Sequence, residues 1–162
     1  MNEPVAVMND QGLAEICRLL ERDDMLISPD AIWLSSRPGF YGHLLALDAI
    51  AVSRQRALDI LCPECGIESM RPQPHGAPDS QPYRGHCQEC GWVKLTNEQA
   101  HYWQVQPAKL AKWLSASLGL APRHAVEPIV DNVLWRLGEM EHRRRRHTVF
   151  FARRLNAMSE QV

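Results

Sequence analysis

Leu13, Ile16, Cys17 and Leu20 recur at i, i+3, i+4 and i+7, the spacing of one face of a helix. Asn9 or Asp10 stands where an N-cap is wanted. Cys17 lies on that apolar face and reads as a core residue. "SPDAIWL" offers a second start, with Ser28 as cap, Pro29 at the first helical position and Asp30 in the first turn. "SRPGFYG" at 36–42 interrupts that helix. A third helix is expected over about 43–61, with Leu44, Leu47, Ala51, Leu58 and Leu61 near one face.

The pattern then changes. "RPQPHGAPDSQP" at 71–82 holds four prolines and one glycine, which no helix or strand interior accepts, so a surface loop is expected. "PAKLAKWLSASLGL" reads as a helix, with Pro107 first, Leu110, Trp113, Leu114 and Leu118 on one stripe, and Gly119 as C-cap. Two periods compete over 126–152. Val126, Val130, Val133, Leu137 and Met140 fit a helix, whereas Val133, Trp135 and Leu137 alternate and "HTVFFAR" reads as a strand. Gly138 weakens the helix, so the reading leans to a hairpin of strands near 133–140 and 146–153, with a helix over 126–140 left open.

A hydrophobic content of 45% is enough to fill a core in a chain of 162 residues. The longest apolar run falls far short of the roughly 20 residues that a membrane crossing needs. The N-terminus shows neither a basic n-region nor an apolar h-region, so a cytoplasmic protein with reduced thiols is expected. Charge is polarised along the chain. Residues 1–61 carry nine acids against five bases, 62–100 five against three, and 101–162 five against ten. A near-neutral total argues against binding DNA over the whole surface, but one basic face at the C-terminal end is allowed.

Four of the five cysteines form two CxxCG units, "CPECG" at 62–66 and "CQECG" at 87–91. Two cysteines three apart reach one ion if the chain turns tightly between them, and the residue after the second is often driven to positive φ, which glycine accepts. Gly66 and Gly91 stand at those places, and the 21 residues between Cys65 and Cys87 allow a hairpin out and back. "WVKL" at 92–95 supplies a third short strand. Cys62, Cys65, Cys87 and Cys90 are therefore the expected ligands of one Zn²⁺ per chain. Over about residues 60–96 the chain resembles the zinc-ribbon fold group, found in many transcription, replication and RNA-processing proteins. The resemblance implies a structural site. An iron–sulfur cluster also takes four cysteines, and a redox CxxC pair needs one exposed, acidic thiol. Four thiolates close a zinc shell and leave no position for a hydrolytic water. His75 and His86 read as loop residues rather than ligands.

"EHRRRRHTVFFARR" sets Arg143, Arg144, Arg145 and Arg146 between two expected strands, followed by Arg153 and Arg154. The planar guanidinium pairs well with phosphate. A helix followed by a basic hairpin resembles the helix-plus-wing part of winged-helix DNA binders, which implies nucleic-acid contact through these arginines. The alternative is a solvated turn neutralised by Glu139, Glu141 or an acidic helix. Trp92, Tyr102, Trp103, Trp113 and Trp135 follow the first cysteine pair and are expected in the core.

The expected class is α+β: a helical region at 1–61, a zinc ribbon at 62–100 carrying the proline-rich loop, and a helix with a basic hairpin at 101–162. No P-loop, GxSxG, HExxH or dinucleotide fingerprint occurs, so an enzyme is not expected. Two functions compete: a regulatory or accessory protein that contacts nucleic acid through the C-terminal hairpin, and a non-catalytic adaptor that binds a protein partner or a second copy.

Overall fold

The computed structural model describes residues 10–33, 38–76, 82–120 and 126–154. In chain order its elements are α1 (Asp10–Glu21), β1 (Leu26–Ile27), α2 (Pro29–Trp33), α3 (Pro38–Ala46), β2 (Ile50–Arg56), β3 (Ile60–Leu61), β4 (Ser69–Met70), β5 (Gln73–Pro74), β6 (Tyr83–Cys87), β7 (Gly91–Leu95), α4 (Asn97–Ala100), β8 (His101–Val105), α5 (Pro107–Ser117), β9 (Glu127–Val130), β10 (Leu134–His142) and β11 (Arg145–Ala152). Helices are thus mixed with small antiparallel sheets, ordered β1-β8-β2, β3-β4, β5-β6-β7 and β11-β10-β9. The chain forms two compact units built from separated stretches. One comprises Met1–Asp23, His43–Ala49 and Gln106–Val162, and the other Asp24–Gly42 and Ile50–Val105. No helix among the described residues is long and apolar enough to cross a membrane.

The unit that bears the cysteine pairs has its core at Ala57, Ile60, Met70, Val93 and Leu95, packed with Cys62 and Cys87. Pro29 opens α2 as expected, and Asp30 stands in its first turn. The Asp30 carboxylate accepts from the Leu61 backbone amide at 3.0 Å and from the Ser28 hydroxyl at 3.4 Å, which ties α2 to β3. Burial raises the Asp30 pKa against both of these bonds. Thr96 and Gln99 close a capping box on α4.

The expected helix over 43–61 is not there. Helix α3 starts inside the segment expected to break the chain and stops at Ala46. Asp48 takes the left-handed conformation at φ 53°. The Ala49 amide donates to Leu44 O at 2.8 Å, and the Asp48 amide to Leu45 O at 2.9 Å. These two bonds close a Schellman motif, a helix stop that usually carries glycine. Beyond it Ile50 and Val52 extend as β2, where branched side chains are favoured.

In the other unit, Ala111, Leu120, Trp135 and Leu137 form the core, with Leu114, Val149 and Phe151 against it. Pro107 opens α5 and Gly119 takes φ 60° just past its end, both as expected. Over 14–21 the buried positions of α1 are Ile16, Leu19 and Leu20, and Cys17 is exposed. The expected core position of Cys17 is therefore corrected. The buried stripe turns towards Leu19, which leaves residue 17 outside it. Asn9, a candidate cap, lies outside the described residues. The ambiguous stretch resolves into strands, with Leu134–Ala152 pairing as the β10–β11 hairpin. An additional strand, β9, flanks it.

Candidate metal centre and basic hairpin

Each cysteine pair sits at a turn whose last residue is a left-handed glycine, Gly66 at φ 67° and Gly91 at φ 75°. The first turn is closed by the Gly66 amide on Cys62 O at 2.7 Å, and the Cys62 amide reaches Glu68 O at 2.8 Å. The second turn is the reversal between β6 and β7, whose ladder ends at Cys87 opposite Gly91. The two turns bring the sulfurs of Cys62, Cys65, Cys87 and Cys90 all within 4.8 Å of one another. Thiolates about 2.3 Å from a tetrahedral zinc lie about 3.8 Å apart. The Cys65 and Cys87 sulfurs are 3.7 Å apart, which fits a shared ion and is far too long for a disulfide. His75 and His86 are outside this group.

The thiols differ in acidity. Backbone amides of Glu68 and Ile67 donate to the Cys65 sulfur and bring its pKa down to about 7. Desolvation raises the Cys87 thiol. Cys90 is pushed up to about 12, first by desolvation and then by the three neighbouring sulfurs. Cys87 and Cys90 therefore hold their protons more tightly than a free thiol. A divalent ion reverses that balance and displaces them.

The described start of the proline-rich segment is not entirely the expected surface loop. Pro72 is fully buried, and Gln73–Pro74 pair with β6 as an edge strand. An edge strand accepts proline because one side of its backbone needs no ladder partner. Residues 77–81 lie outside the described residues.

The arginine run forms the tip of the β10–β11 hairpin. Arg143 and Arg144 are the two turn residues, at φ 51° and 61°. Positive φ at both positions is the type I′ requirement that Asn-Gly ordinarily meets. Arg145 and Arg146 follow on β11, and all four are exposed. Glu139 pairs with Arg136 at 3.2 Å instead of with the run. Glu141 stands opposite Arg146 in the ladder, yet among the described residues no carboxylate forms an ion pair with any of the four. Arg153 is different. It is 4% exposed, and its guanidinium donates to Leu20 O at 3.0 Å and to Arg22 O at 2.8 Å, at the C-terminal end of α1. That burial takes Arg153 out of the set that phosphate can reach. Arg154 is paired with Asp23 at 2.6 Å.

Trp103 and Trp135 are buried and Trp113 is half-buried, but Trp92 is 56% exposed. Its expected core position is corrected, because Trp92 falls on the outer side of the β6–β7 pleat. The signal was present in the alternation of "YRGHC" and "GWVKL". With Cys87 inward, Arg84, His86, Trp92 and Lys94 must face out. No protein-family model, curated protein or solved structure matches the chain.

Proposed function

We propose that the protein is a zinc-binding regulatory or accessory protein that contacts nucleic acid through the tip of its C-terminal hairpin. The four cysteines hold one structural Zn²⁺ in a zinc ribbon. The bound ion supplies fixed geometry and stability, on the order of 10–16 kcal/mol in small zinc peptides. Four sulfur ligands leave it no open position, so the role assigned to it is non-catalytic.

The observation that carries the reading is the state of Arg143 to Arg146. They are exposed, without an ion-pair partner among the described residues, and two of them occupy left-handed backbone positions that disfavour arginine relative to Asn-Gly. Placing arginine there costs folding energy, and phosphate binding would make that cost useful. Ile129, Val130, Met140 and Phe150 are also exposed on this sheet, which favours a protein-binding adaptor as the second reading.

The test is binding of the purified chain to random duplex DNA across a salt series, with Arg143 to Arg146 all replaced by serine. Duplex binding contributes a log–log slope of about −0.9 per phosphate neutralised, so the slope should flatten by roughly 3–4. An unchanged slope and affinity removes the run from the binding surface. Absence of binding by the wild type at low salt leaves the adaptor reading. Elemental analysis should give about one zinc per chain, lost on joint replacement of Cys62 and Cys87 by serine. Stoichiometric iron would instead identify a cluster.

A further inference from the structure

Strand alternation divides the β5-β6-β7 sheet into two unlike faces. Gly85, Cys87, Val93 and Leu95 point inward and are buried. Gly85 fixes this choice, because a Cβ there would lie 2.6 Å from Met70 Sδ. The outer face then carries Arg84 opposite Lys94 and His86 opposite Trp92. The Arg84 guanidinium carbon lies 4.3 Å from the centre of the Trp92 ring, and the His86 ring meets Trp92 edge-on at 5.2 Å. Gln73 on β5 pairs beside Arg84 and is exposed. Among the described residues neither Arg84 nor Lys94 forms an ion pair with a carboxylate; Arg84 is half-buried, its Nε is enclosed without a hydrogen-bond partner, and Lys94 is exposed.

We propose that this outer face binds single-stranded nucleic acid, with an unpaired base stacked on the exposed Trp92 and adjacent phosphates held by Arg84 and Lys94. A buried core explains none of these features, since Trp92 projects away from it. An indole offers a π surface to any base, and a cation beside it offers charge to the backbone. Duplex bases are already stacked on one another, so the aromatic selects unpaired strands. This surface belongs to the unit that lacks the arginine hairpin. It deepens the nucleic-acid reading by naming the strand state, and it rests on that reading for the class of partner.

The experiment measures anisotropy of labelled dT12, U12 and a random duplex with the full zinc-loaded chain. Trp92→Ala should weaken both single strands by about 5- to 100-fold, with duplex binding and zinc content unchanged. Trp92→Phe should restore most of the loss. Comparison of dT12 with U12 separates DNA from RNA. Lys94→Gln should flatten the single-strand salt slope by about 0.7, and this arm decides the matter if Trp92→Ala loses zinc. Unchanged affinity in Trp92→Ala with zinc retained, or an unchanged slope in Lys94→Gln, overturns the proposal. So does equally tight binding of a poly-glutamate peptide, which would identify an acidic peptide site. Loss of duplex binding in the Arg143 to Arg146 variant with normal Trp92→Ala behaviour keeps the hairpin and discards this face. The reverse pattern discards the hairpin alone.

Discussion

Gly85 shows how one missing methyl group holds the cysteine region together. Met70 is 3% exposed and its sulfur fills the space where a Cβ would stand. Gly85→Ala should therefore cost about 1–3 kcal/mol, as overpacking of a filled core does. Shortening Met70 to valine in the same chain should recover part of it, read as a thermal-melt double-mutant cycle. Asp30 makes the opposite case. Its carboxylate serves the Leu61 amide, yet burial raises its pKa. An acid with a raised folded pKa stabilises below the unfolded value of about 3.9 and loses that contribution as pH rises through the folded one. Asp30→Asn keeps an oxygen for Leu61 without the charge. Its melting temperature relative to wild type should climb from about pH 4 upward. A difference that is flat with pH would show that the charge carries no cost there.

At the scale of elements, the hairpin tip trades stability for charge. Two adjacent arginines at φ 51° and 61° occupy positions suited to Asn-Gly. Replacing Arg143-Arg144 by Asn-Gly should raise stability by about 1–2 kcal/mol and weaken duplex binding in the same protein. Stabilisation with unchanged binding would show that these two side chains serve no ligand. The strands themselves were legible, because Trp135 and Leu137 alternate and "HTVFFAR" has no helical period. The end of α3 was not. Asp48 closes it through two backbone bonds that glycine would have advertised, and helical spacing continued past it in the letters alone.

For the molecule as a whole, the two units are expected to differ in their dependence on metal if the cysteine cluster holds an ion. Cys62 and Cys87 are fully buried members of one core, while Trp135, Leu137 and Ala111 build the other without a ligand. Chelation should remove amide hydrogen-exchange protection over 60–70 and 83–95. Amides of 134–140 and 148–152 should keep theirs. The chain enters and leaves each unit more than once, so an unfolded metal unit becomes long closed loops in the other, and loop entropy grows only slowly with length. Simultaneous loss of protection throughout would mean that the two cores unfold as one.

The sequence by itself determined which four cysteines come together, because the CxxC spacing and the left-handed glycine after each pair act locally. It also determined the caps of α5, where Pro107 and Gly119 act within a turn of their own position. Only tertiary structure decided which side chains on each element are buried. Cys17 or Leu19 could have completed the α1 stripe, and the neighbouring packing chose Leu19. Arg153 and Arg146 are the same residue type seven positions apart in the chain, yet one caps a helix from inside the core and the other faces water. That difference arises from α1, more than a hundred positions away, because a buried guanidinium persists only where backbone carbonyls satisfy it.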